Sequence, residues 1–229
     1  MTRSVLFDTE TTGLDPLTGD RIIEIAALEL VNDLPTGQHF HRLIHPERDV
    51  PHDATRVHGI TLDRLEGKPR FAGIADALLD FLGDGKLVAH NAPFDFGFLD
   101  AELARLRRAP LDRARMVDTL ALAKTRFPGL PNSLDALCRR FAIDLSERTT
   151  HNALLDCRLL AQVYVELTGG RQRGLKLASA AAELPAASYH AAPRTPRHIQ
   201  PSDAELAAHA AFVARLKEPL WTAASAPGA

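Results

Sequence analysis

The sequence has few of the residues that mark secreted or membrane proteins. Its 229 residues include 2 cysteines, 2 tyrosines and 1 tryptophan, and no apolar run approaches the roughly 20 residues that span a bilayer. Two cysteines cannot supply a disulfide framework, so we expect Cys138 and Cys157 to be reduced and buried. The chain enters its first predicted strand without a secretory signal pattern. We therefore expect a cytoplasmic protein with no membrane segment.

The sequence also lacks a surplus of positive charge. It has 27 lysines and arginines against 29 aspartates and glutamates, a formal net charge of −2. An acidic protein does not hold nucleic acid by counterion release alone. If the ligand is a polynucleotide, bound metal ions and a partner protein must help to hold it.

Apolar periodicity predicts an α/β fold. Strands are predicted at residues 3–8, 21–31, 39–44, 86–89 and 115–118, and helices at residues 71–82, 93–107, 119–127, 133–141 and 152–167. The first three strands suit an antiparallel meander with its second connection near residues 33–37, and helices and strands then alternate. This order predicts a mixed five-stranded sheet, an antiparallel meander plus parallel strands, flanked by helices.

The composition changes near residue 170. Residues 178–200 are rich in alanine, proline and serine, which predicts a flexible C-terminal tail. Ser202 and Glu205 match a capping box, which predicts a further helix. Its apolar side would carry Leu206, Ala210, Val213 and Leu216. The predicted parts are a main domain at residues 1–170, a linker at residues 171–200 and an anchoring segment at residues 201–229.

Carboxylates stand at the edges of apolar segments in three short strings, residues 7–13, 90–95 and 151–156. The charged and titratable residues of these strings include Asp8, Glu10, Asp95, Asp156 and His151. Four carboxylates at one point repel each other unless a cation lies among them, and divalent metal ions prefer oxygen ligands. The strings therefore predict a metal-dependent enzyme that acts on an anionic substrate.

Local geometry decides whether these residues can meet. Asp8 and Glu10 are two apart on a strand and point to one face. Asp95 falls in the first turn of a helix that Asn91 would cap. Residues 151 and 156 cannot share a face of a regular helix, so the histidine is expected on the preceding loop and the aspartate one turn inside. Each string alone also suits an ordinary strand end or helix start; their joint occurrence favours a site.

The three strings resemble the motifs of the DEDD exonuclease family with a histidine, in the ribonuclease H-like superfamily. Asp8, Glu10, Asp95 and Asp156 match its four acids, and His151 matches its histidine. The sister subfamily has a tyrosine four residues before the last acid, where this chain has Asn152. Residues 22–25, 57–60, 132–138 and 164–170 are similar to the proofreading epsilon subunits of bacterial DNA polymerase III.

This resemblance implies 3′→5′ hydrolysis of a DNA end, frayed or single-stranded, to 5′-mononucleotides. Two Mg²⁺ or Mn²⁺ ions would be bound by the four acids, and His151 would be the general base. Contacts to the substrate are expected from Asp8, Glu10, Leu14, Asp53, His58, Asn91 and Phe94. Epsilon subunits usually carry glutamate at the position of Asp53, so this chain has a shorter acidic side chain there.

The tail suggests protein partners. Gln172, Leu175 and Leu177 resemble the short peptide that docks on the beta sliding clamp, although an ordinary basic linker has the same appearance. The last helix and Trp221 resemble the segment that binds the DNA polymerase III alpha subunit; a disordered tail is the alternative. Two other functions stay open, an exonuclease that trims RNA or short oligonucleotides and a non-catalytic tether between clamp and polymerase.

Overall fold

A mixed five-stranded sheet organises the first of two units into which the chain divides, Met1–Leu175 and Lys176–Ala229. The structure is a computed structural model, and it describes residues 2–146, 148, 150–169 and 200–217. The strands are β1 (Arg3–Thr11), β2 (Ile22–Val31), β3 (Leu34–Leu43), β4 (Lys86–Ala89) and β5 (Met116–Asp118). The helices are α1 (His52–His58), α2 (Leu62–Leu65), α3 (Phe71–Leu82), α4 (Ala92–Arg105), α5 (Thr119–Arg126), α6 (Leu134–Arg140), α7 (Ala153–Leu167) and α8 (Asp203–Val213).

The strand order places β1 at the centre of the sheet. The order is β3-β2-β1-β4-β5, with β1 antiparallel to β2 and parallel to β4. Strands β4 and β5 are also parallel. This arrangement confirms the predicted meander followed by parallel strands.

Helices cover both faces of the sheet. Val5 and Phe7 of β1 pack in one core with Phe71 of α3 and Phe96 of α4. The other face packs against α7, in a core that includes Leu6, Ala26, Leu28, Val88, Ala153, Cys157 and Leu160. Side chains alternate along a strand, so the residues in phase with Leu6 at positions 8 and 10 point toward α7.

The connection between β2 and β3 differs from its prediction. The chain turns at Asn32 and Asp33, which both have positive φ, as a two-residue hairpin requires. Strand β3 therefore begins at Leu34, which pairs with Val31. The early part of β3 is exposed and contains proline and glycine, residues that indicate a turn in sequence and are tolerated at a sheet edge.

Two helices are absent from the sequence prediction. Helices α1 and α2 have 7 and 4 residues, too few for a helical period to stand out. They lie between β3 and α3, where Leu65 packs with Ile23 and Ile60 in a small core. Helix α1 carries the predicted substrate residues Asp53 and His58.

The second unit contains α8, and its capping box is present as predicted. Ser202 Oγ accepts from the backbone N–H of Glu205, and the Glu205 carboxylate accepts from the backbone N–H of Ser202. The helix ends at Val213, so Leu216 lies beyond it, in a turn closed by a bond from its N–H to Val213. None of the helices in the described ranges is long and apolar enough to cross a lipid bilayer.

Candidate active site

Strand β1 brings two carboxylates to the face covered by α7. Asp8 is opposite Ala26 of β2, and Glu10 is opposite Glu24. Alanine opposite Asp8 leaves room above the sheet, whereas Glu24 adds a third carboxylate, which is 1 % exposed. The alternation of the strand therefore places Asp8 and Glu10 side by side, as the sequence predicts.

The first turn of α7 is fixed to the sheet. Asn152 caps the helix through a bond from the Leu155 N–H to its Oδ1 at 3.0 Å. Glu24 accepts from the Asn152 side chain at 3.2 Å and from the Ala153 N–H at 3.3 Å. His151 precedes the helix and is half exposed, while Asp156 is buried one turn inside. These positions are the ones that the helix geometry predicts for the two residues.

Asp95 enters the cluster from the opposite side of β1. It lies in the first turn of α4 and is 3 % exposed. Its Oδ1 accepts from the Thr9 backbone N–H at 3.1 Å and from Thr9 Oγ1 at 2.7 Å. Burial raises the pKa of Asp95 to about 7, although the bonds from Thr9 favour its ionised form. The carboxylate is therefore held at the edge of the acid cluster.

A cavity of about 300 Å³ lies among these groups. Its lining comprises Asp8, His90, Ser133, Leu134, Asp135, Arg148, His151 and Asp156. Arg148 is the strong cation of this lining, and its side chain is 10 % exposed. Its Nε and Nη2 donate to the two carboxylate oxygens of Asp156 at 2.7 and 2.8 Å.

Charge is incompletely balanced at the β1 carboxylates. Burial, followed by repulsion from Asp95 and Glu10, raises the pKa of Asp8 well above its usual value. Burial also raises the pKa of Glu10 to about 8, with His151 opposing the shift and Glu24 adding to it. Two buried acids that resist ionisation indicate an environment in which a cation would be stabilised.

The α7 side of the cavity has the opposite balance. Burial would raise the pKa of Asp156, but hydrogen bonds from Arg148 and His151 hold it below its usual value. The hydrogen bond to Asp156 raises the pKa of His151. His151 Nδ1 lies 3.3 Å from Asp156 Oδ2. The same nitrogen lies 2.9 Å from Arg148 Nη2, and the ring has one side open to solvent.

The donor set fits a divalent metal ion. Glu10, His151 and Asp156 each offer a ligand atom, and the three atoms lie within 4.8 Å of one another. Asp8 lines the same cavity. Carboxylate oxygens suit Mg²⁺ and Mn²⁺, so the carboxylates present fit the metal that the motifs predict.

A second cavity of about 630 Å³ adjoins Glu10 and collects most of the predicted substrate residues. Its lining includes Leu14, Asp53, His58 and Phe94. Leu14 is 84 % exposed, so its apolar side chain is available to a ligand. His58 is buried, and its Nε2 has no hydrogen-bond partner among the described residues. Burial lowers the pKa of His58, which favours a neutral ring at this position.

Other predicted residues are placed differently. Asn91 occupies the N-cap position of α4 in a left-handed conformation, but its side chain makes no capping bond. Asp118 accepts from the backbone N–H groups of Asn91 and Ala92 instead. Asn91 lines neither cavity, and its substrate contact stays a prediction. The partner residues predicted at positions 172, 175, 177 and 221 lie outside the described residues.

Sequence reasoning missed three site residues. Arg148 is a single arginine in a loop, and Glu24 is one of two acids in the apolar strand β2. Val57, half exposed, lines the larger cavity. Glu24 could have been noticed in the sequence, since an acid between apolar strand residues needs partners when it is buried. No sequence pattern indicates Arg148, because its hydrogen bonds depend on how the loop folds.

Comparison with known proteins places the chain in a family. Residues 5–164 match the family model RNase_T, described as Exonuclease. The DNA polymerase III subunit epsilon of Rickettsia felis is 53 % identical over 184 residues, covering 79 % of this chain and 80 % of the relative. The subunit epsilon of Rickettsia conorii is 47 % identical over 221 residues, covering 93 % of this chain and 96 % of the relative.

Solved structures agree with the fold. A structure of Exonuclease X in complex with 5′ overhanging duplex DNA is 26 % identical, with a TM-score of 0.58. The match covers 72 % of this chain and 91 % of that one. The resemblance drawn from the three motifs is thereby confirmed: the chain belongs to the DNA polymerase III epsilon subunits and carries a 3′→5′ exonuclease domain of ribonuclease H-like fold.

Proposed function

We propose that the chain removes nucleotides from the 3′ end of a DNA strand during replication, as the proofreading subunit of the polymerase. The observation that carries the proposal is that Asp8, Asp156 and His151 line one cavity, while Glu10, whose ligand atom lies within 4.8 Å of those of His151 and Asp156, lines a second cavity with mostly apolar walls. A nuclease needs both a place for the scissile phosphate and a place for the terminal base.

Asp8, Glu10 and Asp156 would hold two divalent ions, Mg²⁺ or Mn²⁺, with Asp95 acting directly or through water. The ions would supply the positive charge that stabilises the phosphate during hydrolysis and would activate water. In the described residues, the lining of this cavity offers no free cluster of basic groups to stabilise the phosphate, because its arginine, Arg148, is bound to carboxylates. The raised pKa values of Asp8 and Glu10 suit carboxylates whose natural partner is a metal ion.

His151 would accept the proton from the attacking water. It is half exposed, so water can reach it, and it lies beside Asp156. An imidazole titrates close to physiological pH, which suits a general base. The buried acids nearby cannot serve in its place, because they are required as ligands.

Leu14, Val57 and Phe94 would contact the terminal base, with His58 and Asp53 at the wall of the same cavity. A base must leave the duplex to reach a site of this depth. A mispaired end separates at a lower free-energy cost than a paired end, which gives selectivity for errors.

The tail would connect the domain to its partners in the cytoplasm. We propose that the segment around α8 and Trp221 binds the polymerase alpha subunit and that residues 172–177 dock on the beta sliding clamp. The relatives from two Rickettsia species are named as polymerase subunits, which favours this role over a stand-alone RNA-trimming enzyme or a non-catalytic tether.

The test compares hydrolysis of mispaired DNA, paired DNA and RNA 3′ ends with Mg²⁺ and with Mn²⁺. We expect the mispaired DNA end to be hydrolysed fastest and Asp8→Ala to abolish the reaction. His151→Ala should lower the rate by about 10²–10⁴-fold while metal binding is kept. Faster hydrolysis of RNA, or near wild-type activity of purified Asp8→Ala, would contradict the proposal.

A further inference from the structure

Arg148 forms an unusually complete set of ion pairs at the acid cluster. Its Nε and Nη2 bind both oxygens of Asp156, and its Nη1 donates to Asp135 Oδ1 at 2.6 Å. Two parallel N–H groups on one carboxylate form the strongest common arginine–carboxylate geometry. The guanidinium is therefore the counter-ion of Asp156 in this structure.

A metal ion would compete for the same carboxylate. Asp156 is one of the three residues whose ligand atoms lie within 4.8 Å of one another. Both of its oxygens have a guanidinium nitrogen within 2.8 Å. A divalent cation on either oxygen would lie next to this positive charge and be repelled by it.

The same guanidinium also contacts the predicted general base. Arg148 Nη2 lies 2.9 Å from His151 Nδ1. Arginine has no acceptor, so in this hydrogen bond Nδ1 must accept, and while it accepts it cannot donate to Asp156 Oδ2, 3.3 Å away; the neutral ring then carries its hydrogen on Nε2. In that form Nε2 has no lone pair for a proton from water. The contact therefore opposes the role of the histidine as a base.

Arg148 has a second carboxylate to which it can remain attached. Asp135 lies in the first turn of α6, and its side chain is 38 % exposed. It does not belong to the three candidate ligands. Arg148 can leave Asp156 and keep Asp135, so its charge is never buried without a partner.

We propose that Arg148 is a displaceable counter-ion, which occupies Asp156 and His151 until a divalent ion displaces it toward Asp135. The inference rests on the metal centre of the proposed function. Removal of the guanidinium should therefore have two opposite effects. It should lower the stability of the metal-free protein and raise its affinity for the metal ion.

The test measures Mn²⁺ binding by isothermal titration calorimetry and the thermal midpoint in EDTA. Wild type is compared with Arg148→Met and with the control Arg158→Met, an exposed arginine on α7. We expect Arg148→Met to bind Mn²⁺ about tenfold more tightly, a typical coupling between two sites. Its thermal midpoint in EDTA should be lower than that of wild type, and the control should match wild type in both measurements.

A merely structural role of Arg148 would lower the thermal midpoint without tightening Mn²⁺ binding, and that result would overturn the inference. Arg148→Lys provides a second variant in case the methionine variant does not fold. Lysine keeps the positive charge but cannot bind both carboxylate oxygens as a guanidinium does, so the Mn²⁺ affinity of Arg148→Lys should rise by less than that of Arg148→Met. A Mn²⁺ affinity of Arg148→Lys at or below that of wild type would count against displacement. Absence of Mn²⁺ binding in every variant, wild type included, would overturn the proposed metal centre and the inference together.

Discussion

At the scale of single residues, the site is a balance of buried charge. Glu10 lies opposite a third acid, Glu24, in the β1–β2 ladder, and the ionisation of Glu10 and of Asp8 is opposed by burial and by neighbouring acids. Asp156 has the reverse situation, since Arg148 and His151 favour its ionised form. One half of the cavity therefore needs a cation, and the other half holds one.

This balance predicts a pH dependence of stability in EDTA. The pKa of Glu10 is raised from 4.5 to about 8, so between these values the native protein binds more protons than the unfolded chain. Stability must then fall as pH rises through this range. We expect wild type to lose free energy of unfolding relative to Glu10→Gln between pH 5 and pH 8, as measured by urea denaturation at several pH values.

The exposed Glu66 offers a control at the surface. Glu66→Gln should track wild type across the same pH range. A constant difference between wild type and Glu10→Gln would contradict the assignment of a raised pKa to this acid. Added Mn²⁺ should remove the difference in slope, because a metal ligand must be deprotonated to bind.

The sequence predicted these residues unevenly. Asp8, Glu10 and Asp156 could be predicted because the periodicity of a strand or a helix decides which way each side chain points. Arg148 could not, because its bond to Asp156 depends on a loop conformation that no periodicity encodes. The pairing of Glu24 with Asn152 joins positions 128 residues apart, and only the register of the sheet brings them together.

At the scale of elements, α7 positions His151, which precedes it, and Asp156, which lies in its first turn. Its start is fixed by Asn152, which caps the Leu155 N–H and also donates to Glu24. His41 Nε2 of β3 donates to the same glutamate at 2.7 Å. The end of the helix that carries His151 is therefore attached to β2 through a glutamate that β3 also binds.

We expect Asn152→Ala to weaken both the helix and the reaction. Loss of the cap should lower the free energy of unfolding by about 1 kcal/mol. Loss of the bond to Glu24 frees the residue next to His151, so kcat should fall by up to about 10²-fold, the loss expected when a catalytic group is misplaced by about 1 Å. Urea denaturation and single-turnover hydrolysis measure the two effects.

Asp112→Ala serves as the matched control, because Asp112 caps a short helix at Arg113–Arg115 through the Ala114 N–H at 2.8 Å. It lines neither cavity. The control should lose some stability and keep its kcat. A wild-type kcat in Asn152→Ala would contradict a positioning role for the start of α7.

The elements themselves were predictable to different degrees. Helix α3 and strand β4 have the bounds that periodicity predicts. The beginning of β3 was wrong by five residues, because Pro35 and Gly37 favour a turn where the chain forms an exposed edge strand. The short α1 was missed, although it carries His58 at the wall of the larger cavity.

At the scale of the whole molecule, the candidate chemistry is confined to the first unit. All residues that line the two cavities lie between positions 8 and 156. The second unit contributes α8, in which no residue is buried and Leu206 and Phe212 are more than half exposed. A capped helix with an exposed apolar surface suits a segment that binds another protein.

Deletion of residues 178–229 should separate hydrolysis of DNA from binding to the polymerase. We expect the shortened protein to hydrolyse a DNA 3′ end at the wild-type rate, since both cavities are retained. Binding to the polymerase alpha subunit, measured by surface plasmon resonance, should be lost. Retained binding would refute the proposed anchor, and lost hydrolysis would refute the assignment of residues 1–170 as the exonuclease domain.

The gathering of acids at one pocket is tested most directly by crystals grown with Mn²⁺, with diffraction recorded at the manganese absorption edge. The account predicts anomalous density between Asp8, Glu10 and Asp156, within bonding distance of their carboxylates. Anomalous density elsewhere, or none at a Mn²⁺ concentration that supports hydrolysis, would contradict it.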